Sequence, residues 1–347
     1  MTSTDVHRLA VRSPADLLAA VPYLLGFHPA DSVVVVAMRG RRVVFAARAD
    51  LPDPAEAPAD RARHLVGVVR RQRVDAATVV GYGPAHRVTP AVDAVRDALD
   101  EGGLVLLDAL RVTDGRWWSY LCGEARCCPP EGRPYDPGSS QVTASAVFAG
   151  QVALPDRAAL AAQVAPVSGP ARAAMREAVA KAERRLTRLV EEAPAEDLLG
   201  ARSVRAAGVA AVRDALRRHR RGERLGDDEV AWLTLLLTQI PVRDHAWERT
   251  DGRDGDIAFW GDVLRRAEPE LIAAPASLLA FAAWRAGQGA LAAVALERAL
   301  ARHPDYSLAV LLDDLLRRGV PPSDLDGWPA AGLPGVVRRR GRRGSRR

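Results

Sequence analysis

DSVVVVAM, residues 31–38, sets four consecutive valines behind an aspartate and a serine. A β-branched run without polar alternation is the pattern of a strand buried on both faces. Such a strand needs cover above and below, so its flanks have to supply helices. Upstream, SPADLLAAVPYLLGF (13–27) does this, with Ser13 as N-cap, Pro14 in the first turn and Asp16 near the positive helix end. Pro22 is expected to end or kink that helix. Downstream, Arg39-Gly40-Arg41 turns the chain into RVVFAARADL (42–51), a second strand beside the first.

The same alternation continues. A helix is expected over residues 61–73, a strand at AATVVGY (76–82), and a helix over 90–100 with Thr89 as N-cap. LVLLDALRVT (104–113) reads as another strand, and Asp114-Gly115 is a two-residue hairpin signal that returns the chain along RWWSYLC (116–122). Residues 1–140 are therefore expected to form an α/β domain, a mixed sheet flanked by helices.

Strand signals cease after Ser140. Residues 141–335 read as an all-helical region. Its long helix near 168–193 carries Met175, Val179, Ala182, Leu186 and Leu189 on one stripe. Glu177 and Lys181 form an i,i+4 pair on that helix. Further helices are placed near 204–221, 228–240, 256–267, 276–285, 290–302 and 307–317. LLAFAAWRAGQGALAAVALERALARHPDY (278–306) resembles a tetratricopeptide helix hairpin, with a Gly-containing turn and alanines where helices approach.

The chain has 347 residues, a formal net charge of +6 and one lysine, Lys181. Seven arginines fall in the last ten residues, so removing them from +6 leaves the body at −1. Residues 336–347 are expected to be a disordered tail. Arg338–Arg347 is a candidate contact for nucleic acid or an anionic surface, and equally a solvated terminus. No apolar stretch is long enough for a membrane span, and the first residues lack the pattern of a signal peptide. A cytoplasmic setting follows as the expectation, where thiols stay reduced.

All three cysteines lie in SYLCGEARCCPPEGRPYDP (119–137), spaced C-x4-C-C. Cys122 and Cys127 are spaced to chelate one ion from a turn, and Cys128 is a third candidate, although neighbouring side chains usually point apart. His28 in GFHPADS and His86 in GYGPAHR border strands and are candidates to complete a zinc site. A redox pair, Cys122–Cys127 or Cys127–Cys128, is a second reading. Cysteines packed as small hydrophobes in an ordered turn are the third and commonest one.

Other motifs are weaker. Gly81, Gly83, His86 and Arg87 join a strand to a helix, where α/β folds place ligands and where helix amides meet anions. The segment matches neither a dinucleotide fingerprint nor a Walker loop. His28 and Asp31 are available for acid–base work, but turn formation explains them as well. Arg243 and Asp244 read as an internal ion pair fixing an interhelical turn. DGRDGD (251–256) lacks the closing Glu of a calcium loop.

Taken in order, SPADLLAAVPYLLGFHPADSVVVV, GYGP, CCPPEG, IPVRDHAW and GALAAVALERAL followed by HPDYSLAVLL resemble the actinobacterial domains of unknown function numbered 4192. The match runs from about Ser13 to Pro322. It implies a bacterial cytoplasmic protein with an α/β part and a helical part, and it supplies no activity. Three functions remain open: an interaction or regulatory protein presenting its C-terminal helices to a protein partner, a metal-dependent or small-ligand-binding α/β protein using the cysteine loop, and nucleic-acid association through the tail.

Overall fold

The computed structural model describes residues 11–40, 42–53 and 56–325. The Arg338–Arg347 tail, and with it the disorder expected of residues 336–347, lies outside them.

Helix α1 (Pro14–Leu25) begins at Ser13, whose Oγ accepts the Asp16 amide at 3.2 Å. Pro22 neither ends the helix nor starts a new one. The chain stays helical to Leu25, and Gly26 terminates it at φ +83°. Leu17, Leu18 and Val21 form one buried face, so packing outweighs the one hydrogen bond that the proline removes.

The strands are β1 (Ser32–Arg39) and β2 (Arg42–Asp50) and, beyond helix α2 (Ala59–Arg70), β3 (Ala76–Tyr82). Helix α3 (Ala85–Glu101) leads to β4 (Val105–Thr113), β5 (Arg116–Ser119) and β6 (Arg133–Pro134). They form one mixed sheet in the order β2-β1-β3-β4-β5-β6. Only β3 and β4 pair in parallel, the two strands joined through α3. The valine run occupies the place expected of it. Val33 and Val35 pack with Leu65, Val69 and Val92 from α2 and α3, while Val34 and Val36 pack with Leu18 and Val21 of α1. Period-two geometry sends alternate valines to opposite faces, and both faces are covered.

Helix α3 starts a turn and a half earlier than expected. Thr89 is not its N-cap and Pro90 sits inside it. Val88, fully buried, locks the first turn against β3, where a Cβ on Gly81 would fall 2.1 Å from Val88 Cγ1. That contact is tertiary, so no local cap signal announced it.

The remaining described elements are helical. They are α4 (Gln141–Phe148), α5 (Arg157–Ala162), α6 (Gly169–Glu191), α7 (Ala201–Arg220), α8 (Asp227–Leu236), α9 (Ile240–Trp247), α10 (Asp254–Arg266), α11 (Ala273–Arg285), α12 (Gly289–Arg302) and α13 (Ser307–Arg317). On α6 the expected stripe faces inward: Met175, Val179 and Ala182 are buried, with Leu186 and Leu189 packed beside them. Glu177 and Lys181 pair at 3.5 Å.

IPVRDHAW is a helix rather than an interhelical turn. Pro241 stands in the first turn of α9, where its missing N–H costs nothing. Val242 then packs so closely on α7 that a Cβ at Gly208 would lie 2.3 Å from it. The Arg243–Asp244 pair does form, at 2.7 Å, from an Arg243 side chain only 10% exposed.

Helix α11 is the centre of this half, buried at every position from Ala273 to Trp284 and packed in pairs with α10 and α12. The helical chain also returns to the α/β layers. Gln72 Nε2 donates to the Gly319 carbonyl at 2.6 Å, and Gly319, at φ +65°, fits against Val68 of α2 where a Cβ would come within 2.5 Å.

Candidate metal centre

The β4–β5 hairpin turns through Asp114 (φ +49°) and Gly115 (φ +68°). Two successive positive φ values are the signature of a primed turn, which matches strand twist. Residues after β5 do not drift away. The Tyr120 amide donates to the Ala109 carbonyl at 2.8 Å, and its hydroxyl shares a 2.8 Å hydrogen bond with Thr89 Oγ1 on α3. Strand β6 then brings the chain back along β5. The cysteines therefore lie on a loop closed at both ends by strand pairing.

Polar contacts hold the base of this loop. Ser119 Oγ donates to Asp108 at 2.7 Å and accepts the amides of Leu121 (3.1 Å) and Cys122 (3.2 Å). Trp118 forms the far wall. Its indole N–H donates to the Pro130 carbonyl at 2.9 Å, and the Arg111 guanidinium lies 3.8 Å from the ring centre. Gly132, at φ +79°, presses onto the same ring, since a Cβ there would come within 2.4 Å of it. Arg116 Nη1 donates to the Gly132 carbonyl at 2.8 Å.

Inside the loop the Cys127 and Cys128 amides both donate to the Glu124 carbonyl, at 2.9 and 2.7 Å. This shared acceptor curls the backbone so that the adjacent cysteines converge instead of diverging. The sulfurs of Cys122, Cys127 and Cys128 all lie within 4.8 Å of one another. All three are free thiols; Cys127 is exposed, and Cys122 and Cys128 are half-buried.

Their electrostatics differ. The Glu124 backbone N–H donates to the Cys122 sulfur, and that bond, helped by the Cys128 thiol, holds its pKa below the usual thiol value. Desolvation, helped by the neighbouring Cys122, pushes Cys128 up to about 11. A thiol held low thus stands beside one pushed up, and a bound divalent cation would favour the thiolate form of its ligands. Three sulfurs 2.3 Å from one tetrahedral ion would stand about 3.8 Å apart. The sulfurs, within 4.8 Å of one another, lie near that spacing, and three such soft donors could hold a metal ion.

Neither expected histidine joins the group; among the described residues it consists of the three cysteines. His28 is exposed, with its backbone amide donated to the Leu154 carbonyl at 2.9 Å. His86 is exposed in the first turn of α3. The Gly81, Gly83, His86 and Arg87 segment is occupied by its own contacts. Gly81 makes room for Val88. Gly83 donates its amide to the Val112 carbonyl at 2.9 Å. Arg87 lies 3.5 Å from Asp31 and reaches the Pro52 carbonyl at 3.3 Å. A carboxylate at this spot competes with any anion. Asp31 faces Arg87, and no contact of the structure brings it to His28. A cleft of about 450 Å³ lies elsewhere, among Pro166, Arg172, Ile272 and Arg298 of the helical half.

A family model described as a domain of unknown function (DUF4192) matches residues 14–323. The chain belongs to that family. No curated protein and no solved structure matches it. The DUF4192 region takes in the whole cysteine loop, the sheet and α1 to α13. Among the described residues no helix is long and apolar enough to cross a membrane.

Several residues that hold this loop in the DUF4192 region escaped sequence reasoning: Asp108, Arg111, Trp118, Ser119 and Gly132. Of these, only Gly132, in a Pro-Pro-Glu-Gly turn, carried a local signal. The others act through contacts across the sheet.

Proposed function

We propose that this chain is a metal-binding α/β protein in which Cys122, Cys127 and Cys128 hold a zinc ion. The observation that carries this is the convergence of three sulfurs within 4.8 Å on a loop whose ends are fixed by strand pairing. Bound as thiolates, the cysteines supply three of four tetrahedral positions. The fourth falls to a group outside the described protein ligands, on the side where Cys127 is exposed. Zinc supplies Lewis acidity at such a position, which gives a small ligand a place to bind. A reducing cytoplasm keeps the thiols available for the ion.

The test is elemental analysis of the full chain purified without chelator, with thiols titrated before and after chelation. One zinc per chain is expected, with three thiols reactive only after its removal. Cys122→Ser and Cys127→Ser should each lose the ion. A wild-type protein that neither carries nor takes up zinc contradicts the assignment.

A second reading treats the helical half as an interaction or regulatory scaffold for a protein partner, built from tetratricopeptide-like hairpins. Helices α11 and α12 support it: they pack through alanines, with Gly287 at φ +77° in the turn between them. Val310 and Leu311 on α13 add exposed apolar surface, 45% and 40% exposed. Full-length Val310→Asp/Leu311→Asp should then lose a partner that the wild type retains reproducibly. Equal recovery by both proteins counts against this reading.

A further inference from the structure

Helix α7 carries Arg202, Arg205, Arg213, Arg217 and Arg220, all exposed. At 3.6 residues per turn they fall within an arc of about 120°, and Arg202 to Arg220 covers about 27 Å along the axis. Val204, Gly208, Val212, Ala215 and Leu216 take the buried arc. Arg217 pairs with Asp214 at 2.9 Å. Among the described residues no carboxylate stands within ion-pair distance of the other four. Their neighbours Arg218 and Arg221, by contrast, are tied to Glu223, and Arg218 also to Glu229.

The fold does not explain this stripe. Arginines in the last turn complement the helix dipole, but Arg202 and Arg205 sit near the first turn, where the dipole repels cations. No acid stands in that turn. The Asp197 carboxylate, just before the helix, accepts from the Arg202 and Ser203 backbones at 2.8 Å each, and its charge also acts on Arg202. A high overall arginine content accounts for arginine over lysine, not for one-sidedness on a body whose charge without the tail is −1. On the adjoining α9, burial holds the His245 pKa low, and the charges of Arg249, Arg213 and Arg205 hold it lower still, against an opposing Glu248. Arg205 and Arg213 thus both stand within electrostatic reach of α9.

We propose that the α7 arginine face binds the phosphate backbone of nucleic acid. A duplex presents about one negative charge per 1.7 Å, hence about sixteen along the length of the stripe. Guanidinium groups match phosphate oxygens in pairs. A lipid surface fits less well. At the surface only Ala206, Val209 and Ala210 stand between the arginines, and the exposed Leu198 and Leu199 lie at one end of the stripe, before α7 begins, so an acyl layer would be met there and not along its length.

The test uses the full chain and a fluorescent DNA duplex, with affinity measured by anisotropy over a salt series. Replacing Arg202, Arg205, Arg213 and Arg220 together by Gln should make the log–log salt slope shallower by about 3 to 4, at about 0.9 per lost phosphate contact. The corresponding Arg→Lys protein should keep most of the wild-type slope, which separates loss of charge from loss of folding. A chain ending at Val337, lacking the arginine tail, should still bind and still respond to the Gln substitutions. The proposal fails if the Gln variant retains the wild-type slope, or if binding disappears with the tail alone. It also fails if the stripe's substitutions abolish binding to phosphatidylserine vesicles while leaving DNA binding intact.

Discussion

Helix α11 buries every residue from Ala273 to Trp284 among apolar neighbours, whereas between Leu121 and Glu131 no residue of the cysteine loop is buried. Each is nevertheless fixed. In the helical half position follows from area removed from water, a non-directional force spread over dozens of side chains. In the loop it follows from a few directional contacts: Ser119 to Asp108, Trp118 to Pro130, and two amides onto one Glu124 carbonyl. The first arrangement tolerates the loss of any one polar contact. The second brings three sulfur atoms together on a loop that stays open to solvent, where a core would enclose them.

Separate perturbations of the two regions should have separate effects. The largest is expected at Trp260, fully buried on α10, with its indole donated to Thr250 Oγ1 at 2.9 Å and its ring edge-on to Phe259. Trp260→Ala should lower unfolding free energy by about 3–5 kcal/mol, measured by urea denaturation. The zinc stoichiometry of the protein that remains folded should not change. If metal is lost in step with helical stability, the two regions are not independent.

Gly132 offers the converse. Valine there has to adopt φ +79° and enter space 2.4 Å from Trp118, so the loop must leave its wall. Gly132→Val should weaken zinc affinity about 10- to 100-fold, the range seen when second-layer supports of a metal site are removed. Urea stability should fall by only about 1–3 kcal/mol, the size of one strained backbone position. Unaltered zinc affinity would mean that the Trp118 wall does not position the thiols.

The contrast also explains what the sequence made legible. The valine run, the Ser13 cap, the Asp114-Gly115 turn and the α6 stripe are local or periodic, and each appears where its pattern placed it. The first turn of α3 depends on Val88 meeting Gly81 across the sheet, and Thr89 looked like a cap because no local rule records that contact. Strand β6 has two residues and no period to read. Likewise α9 was hidden by Pro241, which marks a break before itself and a helix after it. In the cysteine loop the residue types were visible but not their convergence, because a shared hydrogen bond to Glu124, rather than the C-x4-C-C spacing, turns Cys128 toward Cys122. The histidines were candidates by sequence position alone, and the folded chain leaves both outside the cluster.

X-ray absorption at the zinc edge reports the ligands of the ion themselves. Zinc-loaded full-length protein should show three sulfur scatterers at about 2.3 Å and one lighter oxygen or nitrogen scatterer, with the sulfur signal reduced in Cys128→Ser. A shell of oxygen and nitrogen only, or a spectrum unaltered by that substitution, would contradict zinc binding by the three cysteines.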